Sequence, residues 1–159
     1  MAENDNAISV LNNLIETCKD GQNGFQTAAE GIERSDIKSL FYEYSQQRAQ
    51  FAGELQQEVR RLGGDPEQSG SVAATLHRGW INIKSAVTGA DENAILAECE
   101  RGEDSAVSNY KDALEDTHLP ADLRAVIERQ YAQVREAHDR IRNLERATDA
   151  SGTTRGANA

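Results

Sequence analysis

Apolar side chains recur along four stretches of this chain at alternating intervals of three and four residues. The first stretch reads Ile8, Leu11, Ile15, Cys18, Gln22, Phe25, Ala29, Ile32, and only Gln22 interrupts it. Such spacing keeps one stripe of a helix facing a partner helix along its whole length. It predicts a helix over residues 6–33, with Asn6 or Asp5 available to cap the open amides. Ser35 and Asp36 restart the chain, and a second stripe follows with Ile37, Phe41, Tyr44, Arg48, Phe51, Leu55, Val59 and Leu62. Gly63-Gly64-Asp65-Pro66 ends it, because glycine accepts a left-handed C-cap and proline forbids continuation. The link between these helices is so short that they must be antiparallel neighbours.

The connection from Asp65 to Ala90 exceeds a simple bundle turn. From Ser71 onward, Val72, Leu76, Trp80, Ile83 and Val87 have the spacing of a shorter amphipathic helix. Asp91 and Glu92 open a third long helix, acids placed against the positive end of its dipole. Its stripe is Ile95, Cys99, Gly102 or Glu103, Ala106, Tyr110 and Ala113. After the turn at Leu119-Pro120, a fourth helix carries Leu123, Ile127, Gln130, Val134, Ala137, Ile141 and Leu144. The expected organisation is a lead at residues 1–6, a bundle domain at 7–147, and a disordered tail at 148–159. Two helix hairpins joined by a long crossover are a ferritin-like topology.

Composition narrows the partners. The formal charge of -10 repels phosphate backbones, so no nucleic acid is expected. No apolar run is long enough to span a membrane, and the N-terminus lacks the positive start and apolar core of a secretory signal. A cytoplasmic protein with no membrane partner is the expectation. Cys18 and Cys99 both fall on apolar stripes, which predicts two buried reduced thiols rather than a disulfide.

Four local strings carry a resemblance. Leu14-Ile15-Glu16-Thr17-Cys18-Lys19-Asp20-Gly21, Leu62-Gly63-Gly64-Asp65-Pro66, His77-Arg78-Gly79-Trp80 and Glu98-Cys99-Glu100-Arg101-Gly102-Glu103-Asp104 resemble a bacterial family of ferritin-like four-helix-bundle proteins catalogued as a domain of unknown function. The resemblance spans residues 7–147 and implies an all-α, ferritin-like four-helix bundle with an additional short helix in the crossover. It transfers no reaction. Analogy with stress-linked proteins of the wider ferritin-like group suggests a stress role, and the architecture admits a homo-oligomer.

Chemistry must come from the few polar residues on the stripes. Gln22, Arg48, Glu103 and Gln130 all lie near the middle of their helices and are expected to meet in one interior polar layer, with Arg48 paired to Glu103. A di-iron carboxylate bundle would instead place Glu-x-x-His on two helices and a lone Glu on each of the others. The Glu-x-x-His of this chain, Glu115 to His118, lies at a helix end beside Pro120. The rival reading therefore assembles Glu54, Glu100, Glu103 and His138 as ligands for iron or manganese, in one metal site or two. The leading expectation is a non-catalytic stress-type or structural and interaction protein with no catalytic residue, and the cofactor stays open between iron or manganese and none. The rival is a metal-binding protein of iron handling or oxidoreduction. His77-Arg78-Gly79-Trp80 is expected to dock the crossover, with Trp80 as its plug. No phosphate loop and no nucleophilic triad can be placed, and the acid-rich outer faces, such as Glu98 with Arg101 and Glu128 with Arg129, read as solvated helix surface.

Overall fold

Each stripe becomes a helix. The computed structural model describes the backbone of residues 2–66 and 80–158 and the side chains of residues 4–66 and 80–148. Within them run α1 (Ala2–Gly31), α2 (Ser35–Arg61), the short α3 (Ile83–Thr88), α4 (Glu92–Leu114) and α5 (Ala121–Asn158), and no strand is present among the described residues. The ends follow the local chemistry. Gly63 adopts φ 84, and the amides of Gly63 and Gly64 close the last turn of α2 onto the carbonyls of Arg60 and Val59. The Asp91 carboxylate accepts the Asn93 amide at 3.0 Å, capping α4. Arg124 donates back to the carbonyls of Leu114 and Asp116, which ends α4 and ties it to the start of α5.

One boundary departs from expectation. The last helix passes Arg146 and continues as helical backbone to Asn158, where the sequence suggested a tail without structure. No proline lies beyond Pro120 to stop it, and the two glycines at 152 and 156 weaken a helix without breaking it. Of the amphipathic crossover segment, Ile83 to Val87 is helical, whereas Ser71, Val72, Leu76, His77, Arg78 and Gly79 lie outside the described residues.

Side-chain pairs fix the directions. Asn6 meets Asp116 and Thr17 meets Asn109, so α1 and α4 are antiparallel. Gln47 meets Gln133 and Arg61 meets Asp122, so α2 and α5 are antiparallel as well. With the hairpins α1–α2 and α4–α5, every neighbouring pair runs in opposite directions, and α2 and α4 lie across the diagonal running the same way. The chain must therefore return the length of the bundle between Leu62 and Asp91.

The interior is two apolar halves. One gathers Leu11, Leu14, Ile15, Phe51, Leu55, Leu123, Ile127 and Val134, and the other Phe25, Phe41, Ile37, Ile95, Leu96 and Ile141. Trp80 belongs to the second and is 3% exposed, its ring edge-on to Phe25 at 5.0 Å. It fits because α1 and α4 present glycines to it. A Cβ on Gly24 would lie 2.3 Å from the indole, and one on Gly102 would lie 2.1 Å from it. Trp80 is thus the plug that seats the crossover on the α1–α4 face. No helix of the described residues is long and apolar enough to cross a membrane.

Candidate functional site

Between the two apolar halves sits a polar waist. Arg48 on α2 donates from both terminal nitrogens to both oxygens of Glu103 on α4, at 2.6 and 2.7 Å. Their side chains are 1% and 0% exposed, so this bidentate pair crosses the bundle diagonal out of contact with water. The guanidinium also donates its Nε–H to Gln47 at 3.4 Å and lies over the Phe25 ring at 5.4 Å. Burial by itself would favour neutral arginine, and the Glu103 carboxylate outweighs it, so the pKa of Arg48 is raised and the ion pair persists. Gly21 makes the space. A Cβ there would sit 3.2 Å from Arg48 Cγ, so a larger residue on α1 would press on the arginine stem.

A second chain of bonds continues the waist. The Tyr110 hydroxyl donates to Gln130 Oε1 at 2.7 Å. Having one proton, it must accept from the Cys18 thiol, whose sulfur lies 3.1 Å away. The Gln130 amide nitrogen then faces the Phe51 carbonyl at 3.4 Å and Glu54 at 3.5 Å. Burial pushes the Cys18 thiol up to about 11, and burial raises Tyr110 and Cys99 well above their usual ranges. None of these groups is disposed to ionise near neutral pH, so the waist offers no activated nucleophile.

Of the four residues expected in this layer, Arg48, Glu103 and Gln130 are buried there, and Gln22 is not. Gln22 is half-buried and meets α2 through its backbone carbonyl, which accepts the Ser45 hydroxyl at 2.8 Å. Gly21 takes the inward place. Cys18 and Tyr110, which complete the network, were legible only as members of apolar stripes.

The four groups expected to hold one metal, or two, do not all converge. Glu103 spends both oxygens on Arg48. Glu54 lies on the α2–α5 seam, bonded to Arg129. Glu100 and His138 do come together, across the α4–α5 seam, and Asp104 joins them in the place expected of Glu103. The reason is helical phase: positions 100 and 104 share the outer seam, whereas 103 is turned inward. His138 bonds Asp104 through Nε2 at 2.5 Å and Asp139 through Nδ1 at 3.2 Å. Burial opposes its charge, but these two acids raise its pKa above 6.5. Glu98, which reads as solvated surface in the sequence, is 4% exposed, bonds Arg101 and accepts the Asn82 amide ahead of α3. Glu115 and His118 are exposed, as befits a helix end.

An interior di-iron centre does not fit these donors. Its position is occupied by a guanidinium, and among the described residues no imidazole lies in the waist. The chain belongs to the family described as a domain of unknown function, DUF2383, whose model matches residues 6–116, from the N-terminal part of α1 to just past α4. No curated protein matches it.

Proposed function

We propose that this member of the family is a ferritin-like bundle that acts as a structural or interaction protein, in a stress-type role, and carries out no chemistry in its interior. The observation behind this reading is the buried Arg48–Glu103 pair, which supplies the waist with its own cation and consumes the carboxylate a metal would need. The ferritin-like assignment is supported by the diagonal, parallel placement of α2 and α4 and by the long connection between them. The network of Tyr110, Gln130 and Cys18 then fixes how the four helices meet.

Anaerobic Fe(II) titration of a His138→Ala variant tests this reading, because that substitution removes the imidazole on the outer seam and leaves the waist intact. The expected result is no stoichiometric uptake. One or two irons bound per chain in that background would overturn the reading and restore an interior metal centre.

A further inference from the structure

The α4–α5 seam holds the one group, among the described residues, in which three ligand-type side chains bring donor atoms within 4.8 Å of one another: Glu100, Asp104 and His138. Two features set it apart from a patch of surface acids. The His138 side chain is 13% exposed and Glu100 22%, so an imidazole and a carboxylate are partly withdrawn from water while Asp104 covers them from outside. The imidazole is also oriented. Asp139 holds Nδ1, which turns Nε2 toward the two α4 carboxylates. A carboxylate behind a histidine in this manner fixes ring position and raises the basicity of the nitrogen that faces the metal.

We propose that Glu100, Asp104 and His138 bind a divalent first-row transition cation of the zinc type. One imidazole nitrogen and two carboxylate oxygens suit such an ion, and three protein ligands leave a coordination position open to water. Tetrahedral bonds of about 2.0–2.2 Å hold donor atoms about 3.4 Å apart, a spacing that modest rotation of Glu100 and Asp104 reaches from the observed grouping. Glu100 and Asp104 are four residues apart on one helix face and His138 comes from the neighbouring helix, so the ion would clip α4 to α5. The local charges agree. A dication neutralises the two α4 carboxylates, one of which, Glu100, lies 3.5 Å from Arg142 Nε. Arg142 is also the cation that a metal must displace from Glu100. The site is separate from the waist and stands whether or not the waist is inert.

Titration of the full chain with Co(II), followed by its visible absorption and by calorimetry, tests the proposal. One cobalt should bind per chain and be displaced by Zn(II). His138→Ala should abolish binding, Glu100→Gln and Asp139→Asn should weaken it by about tenfold or more, and Arg142→Ala should tighten it. His118→Ala should leave it unchanged. Far-UV circular dichroism of each variant verifies the fold, and Glu100→Gln, the least disruptive change, carries the test alone if His138→Ala misfolds. Absence of saturable binding, or binding that survives both His138→Ala and Glu100→Gln, overturns the proposal.

Discussion

Replacing Arg48 with methionine strands a carboxylate in the middle of the protein. Glu103 is fully buried and loses two charge-assisted bonds of 2.6 and 2.7 Å. Each such bond contributes about 1.5–3 kcal/mol, and removal of one partner from a buried ion pair costs about 3–5 kcal/mol; the two estimates overlap. The opposite change, Glu103→Leu, strands a buried guanidinium that cannot shed its proton and should cost a similar amount. Arg48 would keep Gln47 at 3.4 Å and the Phe25 face at 5.4 Å, the latter worth about 0.5–2 kcal/mol. Replacing both together removes the charges and their desolvation penalty, so the double variant should lie within about 2 kcal/mol of the natural protein. Urea unfolding followed by circular dichroism measures all three. A loss under about 1 kcal/mol for Arg48→Met, or a double loss equal to the sum of the singles, would mean that the two charges do not depend on each other.

Two further outcomes are expected. Gly102→Ala places a methyl 2.1 Å from the Trp80 indole and should displace the ring, at a cost of about 1–3 kcal/mol. Since Trp80 is the chain's single tryptophan, its emission should move to the red, and an unchanged spectrum would show the ring seated elsewhere. Cys18 and Cys99, free and buried with their thiolates disfavoured, should resist a disulfide reagent at pH 8 until the protein unfolds. Rapid labelling of either sulfur in the folded protein would contradict that burial.

The stripes were legible because a helix period leaves its mark on every turn. The Arg48–Glu103 pair was legible because charged residues on an apolar stripe have few ways to be satisfied. Gln22 shares its heptad position with Ile15 and Ala29, which are buried, so the spacing alone marks it as an inner residue. Gly21 and Gln22 flank the inner stripe, and the room that the Arg48 stem needs against Gly21 decides between them. The same difficulty hid Asp104: positions three and four beyond Glu100 are both one turn away, and only packing decides which turns inward. The seat of Trp80 depends on Gly24 and Gly102, residues on separate helices and distant from it in sequence, and no local string records such a triple. Glu98 reads as surface for the same reason, since the Asn82 amide that covers it belongs to the returning crossover.

Regular stripes also create an ambiguity that the waist resolves. A helix whose apolar residues repeat by heptads can slide one heptad along its partner and still bury apolar surface. In this bundle such a slide would separate Arg48 from Glu103 and leave both charges buried without partners. It would also carry Gly24 and Gly102 away from the Trp80 indole. The wrong registers are therefore penalised by several kcal/mol even where the natural one gains little from its ion pair. The Arg48→Met, Glu103→Leu double variant separates these two contributions. If the waist selects register, that protein should remain nearly as stable to urea yet lose amide-exchange protection in the turns around positions 48, 103 and 130. Unchanged protection there would mean that apolar packing and Trp80 alone define how the helices meet.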